Sequence, residues 1–261
     1  MNLLSYIKPA FSSILHPDWT VTKDVQYYSG SEHKLDLYLL NNGKKNPTIV
    51  FIHGGGWQTG DKFVYEGRAK KYALAGFNVA AINYTLATED PATHWPAQLR
   101  DCLQALHYLK INADLFGIDK TRLAVGGDSA GAHLSLFLNE AKVILNMFGP
   151  CDLTQPDLNQ LLDDLWVFDH KTYEQDPTLY KNASPLFGMS KVITPPIVTV
   201  HGRNDEVVPY NQALMLKAKL DALGVQNELI PYNGGHEFSK LPWWEELIVE
   251  LKALWFVLRH I

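Results

Sequence analysis

From residue 48 onward, short apolar runs alternate with stretches in which apolar residues recur every three to four positions. The runs at 48–52, 79–84, 123–126, 143–148, 197–200 and 228–232 read as buried strands, and the stretches at 64–75, 96–111, 130–139, 211–223 and 243–258 read as helices. This alternation predicts an α/β fold with a mostly parallel central sheet and helices on both faces. Upstream, residues 22–28 and 35–40 alternate in steps of two across Ser29-Gly30-Ser31, which predicts paired antiparallel strands closed by a turn at Asn41-Asn42-Gly43. Residues 1–20 are expected to form a packing arm, helical over 3–15 with a break at Pro9. In the last helix Trp243, Trp244, Leu247, Ile248, Leu251 and Leu254 recur at helical spacing and are expected to pack on the sheet, with surface or membrane docking as the alternative.

The segment 151–196 breaks the alternation. It is long, rich in Asp and Pro, and carries Trp166, Phe168, Tyr173, Tyr180 and Phe187. A connection of that length is either functional or structured in its own right. Two readings stand: a small helical excursion walling one side of a site, or a surface insertion without ligand contact.

Composition narrows the picture. The 261 residues suit one domain spanning 1–261, and 46% hydrophobic with 20% charged residues is ordinary for a globular protein with a core. A net charge of -5 with no Lys/Arg cluster argues against nucleic acid as a partner. The two cysteines, Cys102 and Cys151, read as buried reduced thiols. No apolar run approaches the roughly 18 residues of a membrane span, and Lys8 and Pro9 interrupt the N-terminal apolar residues, unlike a signal peptide. These features give the expectation of a cytoplasmic protein without a membrane span. They leave room for a homodimer.

The chemistry centres on Gly127-Asp128-Ser129-Ala130-Gly131, which joins the 123–126 strand to the 130–139 helix. A serine on such a strand-to-helix turn is a nucleophile elbow: strained backbone and small neighbours push the hydroxyl to the rim of the sheet. A serine needs a base, and His236 lies in the glycine loop Asn233-Gly234-Gly235-His236 after a strand. Asp205, in His201-Gly202-Arg203-Asn204-Asp205-Glu206, is the candidate to orient that histidine, with Glu206 its rival. The chain order Ser129, Asp205, His236 is the one expected of a serine on such an elbow and differs from the chymotrypsin and subtilisin orders. Asp128 reads as a structural hydrogen-bonding residue within the elbow. The fourth part is His53-Gly54-Gly55-Gly56-Trp57, whose N–H groups, with that of Ala130, can hold an oxyanion. One such donor typically contributes about 2.7 to 4 kcal/mol to the transition state. The loop lacks the spacing of nucleotide-binding glycine motifs, and Lys240 stands where a zinc-protease motif around His236-Glu237 needs its second histidine. No metal and no organic cofactor is implied.

Together with Gly60-Asp61-Lys62 and Trp95-Pro96-Ala97-Gln98-Leu99-Arg100-Asp101, these motifs make the chain from about Lys34 onward resemble the α/β-hydrolase superfamily, within it the hormone-sensitive-lipase-like carboxylesterases and the bacterial feruloyl and acetyl xylan esterases. The resemblance implies serine hydrolase activity with Gly55 and Gly56 joining Ala130 as oxyanion donors. The chain departs from that group in having only 52 residues before His53, which implies a small or absent cap and a more open site. It also has Asn83-Tyr84-Thr85-Leu86 where relatives commonly carry an arginine after the tyrosine. The expected function is a serine esterase acting on small short-acyl carboxylic esters through an acyl-enzyme. The alternatives are an aryl formamidase-type amidase on the same triad and a non-catalytic hydrolase-fold receptor.

Overall fold

The computed structural model of the chain describes residues 18–163 and 165–261. The expected 3–15 helix lies outside them. Eight strands form one sheet: β1 (Trp19–Gln26), β2 (Lys34–Leu40), β3 (Asn46–Ile52), β4 (Asn78–Ile82), β5 (Ile118–Asp128), β6 (Val143–Met147), β7 (Ile197–Gly202) and β8 (Asn227–Tyr232), in the order β1-β2-β4-β3-β5-β6-β7-β8. β1 pairs antiparallel with β2 and β2 antiparallel with β4, and every later pairing is parallel. The helices are α1 (Glu66–Leu74), α2 (Ala97–Ile111), α3 (Ala130–Ser135), α4 (Pro156–Asp163), α5 (Pro177–Asn182), α6 (Pro185–Gly188), α7 (Asn211–Leu223) and α8 (Trp243–His260). This is the expected α/β-hydrolase architecture.

Because strand side chains alternate, each central strand feeds two cores. Val50, Ile52, Ala80, Ile82, Leu123 and Val125 meet α2, α3, α7 and the 151–196 segment on one face. Ile49, Phe51, Val79, Ala81, Ala124 and Leu145 meet α1 and α8 on the other.

Several boundaries differ from the expectation. β1 begins at Trp19, three residues early, because it is an edge strand whose mostly exposed residues carry no apolar period. Its ladder is interrupted between Thr22 and Val25, where Asp24 takes φ 58°. That irregularity is held electrostatically: Lys62, nearly buried, reaches Asp24 at 2.9 Å and Asp36 at 3.2 Å. The Gly60-Asp61-Lys62 motif therefore anchors the N-terminal strands, and Asp61 also accepts from Asn83 at 2.7 Å. The helix expected over 130–139 closes at Ser135 and tightens into i+3 turns ending at Leu138.

The last helix corrects the expected packing most. Val249, Ala253, Phe256 and Val257 are the buried side chains of α8, whereas Trp243, Trp244, Leu247, Ile248 and Leu251 are exposed and Leu254 is partly buried. Among the described residues no helix is long and apolar enough to cross a membrane.

Candidate active site

Ser129 follows the last residue of β5 with φ 51° and ψ -119°, a conformation costly for a side-chain-bearing residue. Its N–H donates to the Met147 carbonyl at 2.9 Å and its carbonyl accepts from His133 N–H at 3.0 Å. Close approach explains the flanking glycine: a Cβ on Gly131 would lie 1.9 Å from the Ile52 carbonyl oxygen. Asp128 accepts a hydrogen bond from the Tyr65 hydroxyl, which fixes the residue before the serine.

The oxyanion candidates meet the serine. β3 ends at Ile52, and the next residues turn sharply, with φ of 108° at Gly55, 58° at Gly56 and 62° at Trp57. A Cβ at Gly55 would fall 2.2 Å from the Thr59 carbonyl oxygen, whose own N–H donates back to the Gly55 carbonyl at 3.0 Å. Among the described residues the N–H groups of Gly55, Gly56 and Ala130 donate to no protein acceptor, while all three residues line one cavity with Ser129 and His236. Unused donors beside a candidate nucleophile are what an oxyanion would require.

Histidines stiffen this loop. His53 stacks on Tyr84, with ring centroids 4.4 Å apart, donates from Nδ1 to the Gly54 carbonyl at 2.7 Å and is held neutral by burial, which lowers its pKa. The Tyr84 hydroxyl donates to the His53 carbonyl at 2.9 Å. Trp57 Nε1 donates to His133 Nδ1 at 3.3 Å, and His133 Nε2 donates to the Ala183 carbonyl at 2.7 Å. Burial pulls the His133 pKa down to about 4, against the effect of that carbonyl, so the ring is a neutral strut between the glycine loop and the 151–196 segment.

His236 and Asp205 come together at the ends of β8 and β7. Their loops are tied through the backbone, with Asn204 N–H donating to the Gly234 carbonyl at 3.0 Å and Arg203 N–H to the Tyr232 carbonyl at 2.9 Å. His236 Nδ1 donates to Asp205 Oδ2 at 2.8 Å, which leaves Nε2 as the basic nitrogen. Oδ1 accepts the Val207 and Val208 N–H groups, each at 2.9 Å. Glu206 points to solvent. Burial alone would raise the Asp205 pKa. Hydrogen bonds from His201 and His236, the His236 charge and the Val208 N–H outweigh it and hold the carboxyl well below the usual range.

His201 also belongs to this site, with no motif in the sequence to announce it. It is fully buried, with Nε2 2.8 Å from the Val208 carbonyl and 3.3 Å from Asp205 Oδ2. Both neighbours are acceptors, so Nε2 carries the proton and Asp205 is gripped from two sides. The only sequence signal is the four-residue spacing to Asp205. Phe148, likewise unannounced by a motif, packs edge-on against His236 with centroids 4.9 Å apart.

Two cavities flank the glycine loop. The one holding Ser129 and His236 has a volume of about 220 Å³ and apolar walls, three of them Leu158, Leu162 and Leu165. The 151–196 segment thus contributes a wall, and it is fastened to the loop by the Trp166 N–H donating to Gln58 Oε1 at 2.6 Å. The second, about 350 Å³, is lined by His53, Asp128, Glu237, Glu246 and Arg68. Gly55 and Glu237 border both. The Ser129 hydroxyl forms no hydrogen bond to His236 among the described residues; the two side chains face the same small cavity. Among the described residues no group of three or more His, Cys, Asp or Glu side chains is placed to hold a metal ion.

A family model described as the prolyl oligopeptidase family matches residues 93–241, more than half of the chain, and takes in Ser129, Asp205 and His236. The chain belongs to the prolyl oligopeptidase family. A second model, described as BD-FAE, matches residues 35–142 of this prolyl oligopeptidase-family chain and takes in the glycine loop and the elbow. Curated relatives include esterases and carboxylic ester hydrolases. Esterase LipC of Mycobacterium tuberculosis (strain ATCC 25618 / H37Rv) is 26% identical across 89% of this chain and 64% of its own length. The probable carboxylic ester hydrolase LipM of the same organism is 28% identical across 76% of this chain and 51% of its own. The chain therefore spans less than two thirds of these relatives' length. Among solved structures, a truncated form of a carbohydrate esterase from gut microbiota superposes with a TM-score of 0.77 at 25% identity, covering 91% of this chain and 96% of that one. Esterase 2 of Thermogutta terrifontis with bound propionate superposes with a TM-score of 0.71 at 20% identity, covering 94% of each chain, a likeness of fold.

Proposed function

We propose that the chain is a cofactor-independent serine esterase for small, short-acyl carboxylic esters, carried by one α/β-hydrolase domain. Ser129 Oγ attacks the ester carbonyl carbon while His236 Nε2 takes its proton. Asp205 holds the imidazole in the tautomer that exposes Nε2 and stabilises the imidazolium. The carbonyl oxygen becomes an oxyanion held by the N–H groups of Gly55, Gly56 and Ala130. Collapse breaks the bond to the alcohol, which leaves with the proton from His236. Water, deprotonated by the same nitrogen, then attacks the acyl-enzyme, and the acid departs as Ser129 regains its proton.

The observation that carries this reading is the His236–Asp205 hydrogen bond beside a strained serine in a cavity lined by three unused N–H donors. The 220 Å³ apolar cavity is below the roughly 300–1,000 Å³ typical of drug-sized ligands and suits a short acyl chain. The alcohol faces the polar cavity, whose Asp128, Glu237, Glu246 and Arg68 suit a hydroxyl-rich leaving group. The carbohydrate esterase among the structural relatives supports the same direction. A cytoplasmic setting belongs to the reading, supported by Cys102 and Cys151, which are buried, unpaired and kept protonated by burial.

The test is hydrolysis of p-nitrophenyl acetate, butyrate and octanoate beside N-formylkynurenine, with a fluorophosphonate probe mapped by mass spectrometry. Labelling at Ser129 with rates falling from acetate to octanoate is expected. Faster turnover of the formamide would transfer the site to the amidase reading, and an unlabelled Ser129 would remove the catalytic reading altogether.

A further inference from the structure

α8 is apolar on two opposite faces. Val249, Ala253, Phe256 and Val257 fill the core beneath the sheet. On the far side Trp244 (49% exposed), Ile248 (45%), Leu251 (54%), Trp255 (61%) and Leu258 (40%) stand in solvent, beside Leu247. At 3.6 residues per turn these six fall within an arc of roughly 100°, the width of a core-facing stripe. Isolated exposed apolar residues need no explanation, but a continuous stripe with two tryptophans does.

The spacing says what covers it. Positions 244, 248, 251, 255 and 258 advance by four, three, four and three, which is the a/d seam of a coiled coil over two heptads. We propose that this face is an isologous homodimer contact in which α8 packs antiparallel against α8 of a second copy, with the twofold axis at Leu251. In that register Trp244 meets Leu258 of the second copy, Leu251 meets itself, and Ile248 lies within one residue's rise of Trp255. Both tryptophans of the seam thus oppose an aliphatic side chain, as interdigitated packing demands, and neither meets the other. One flank places Leu247 against the partly buried Leu254. On the other flank Glu245, in the first turn, lies beside Arg259 of the second copy, in the last. Lys252 meets its own copy near the axis, but that stem is exposed and its charge stays in water. The antiparallel arrangement also sets the helix dipoles opposed, each N-terminus beside the other's C-terminal end. The stripe is self-complementary about one point, which a closed twofold contact requires and a heterologous partner does not.

The test is the mass of the full chain in solution by sedimentation equilibrium at micromolar concentrations. Twice the chain mass is expected, falling to the chain mass in Leu251→Glu, which places two like charges on the axis, with helical circular dichroism retained. Leu251→Cys should crosslink to itself under mild oxidation, because the native thiols Cys102 and Cys151 are buried and do not compete. A dimer that survives Leu251→Glu, or a Leu251→Cys variant that fails to link, would overturn the proposal. So would a monomeric wild type, whether the face then binds phosphatidylcholine vesicles or pairs only after deletion of residues 1–17.

Discussion

The loops carrying the proposed nucleophile and its base both hold strained backbone, and they hold it by different means. At Ser129 the strain is enclosed by packing, with Gly131 so close to the Ile52 carbonyl that no Cβ fits. In the base loop Glu237, Phe238 and Lys240 adopt φ of 54°, 60° and 63°, and the approach is less close: a Cβ on Gly234 would lie 2.9 Å from the Ser239 carbonyl oxygen, and one on Gly235 would meet a side-chain hydroxyl at 2.6 Å. That loop is pinned by hydrogen bonds: Gly235 N–H to the Ser239 carbonyl at 3.0 Å, Ser239 N–H to the His236 carbonyl at 2.9 Å, and the Tyr232 hydroxyl to the Gly235 carbonyl at 2.9 Å. The position of the serine is therefore bound up with folding itself. The position of the histidine depends more on these polar contacts.

Outside the serine and the histidine themselves, the largest expected effect on activity sits on the polar side of this contrast. Asp205→Asn offers His236 an amide and disturbs its tautomer, so kcat should fall about 10,000-fold, as in other triads. Stability should also respond to pH. A depressed carboxylate stabilises the fold fully above its unfolded pKa of about 3.9 and loses that contribution as pH falls toward its folded value. In urea denaturation the stability gap between wild type and Asp205→Asn should be widest near neutral pH and shrink below about pH 4. A gap that ignores pH would detach Asp205 from its two histidines.

Next come the glycines. Gly131→Ala should cost about 3 kcal/mol or more, since a backbone carbonyl must move. Gly235→Ala meets only the flexible Ser239 hydroxyl at 2.6 Å and should cost under about 1 kcal/mol. Equal melting temperatures for the two variants would erase the distinction between the loops.

Smaller effects sharpen it. His201→Asn removes one donor from Asp205 and should lower kcat about tenfold at unchanged KM, the scale of a hydrogen bond to a charged group. A change confined to KM would assign His201 to substrate binding instead. Tyr232→Phe, which loses the hydroxyl contacts to Gly235 and Phe238, should destabilise by about 1 kcal/mol and slow turnover a few-fold. Unchanged kcat would show that the base loop does not need that pin.

The central strands were legible because strands buried on both faces leave continuous apolar runs, and the candidate site because parallel strands deliver Ser129, Asp205 and His236 to one edge. β1 was not, since an edge strand in solvent has no apolar period to read. α8 was legible as a helix but not in its orientation: with apolar residues on opposite faces, periodicity cannot choose which one meets the sheet. Nor could spacing reveal that His201 grips Asp205, because that contact depends on how the chain turns between Gly202 and Val208.

The central claim is that Ser129 and His236 act as one unit, and the most direct measurement is kcat/KM for p-nitrophenyl acetate in Ser129→Ala, His236→Ala and the double variant. Each single change should remove nearly all activity, at least about 10,000-fold, and the double should be no worse than either. Losses that add in the double variant, or undiminished hydrolysis by pure Ser129→Ala, would contradict it.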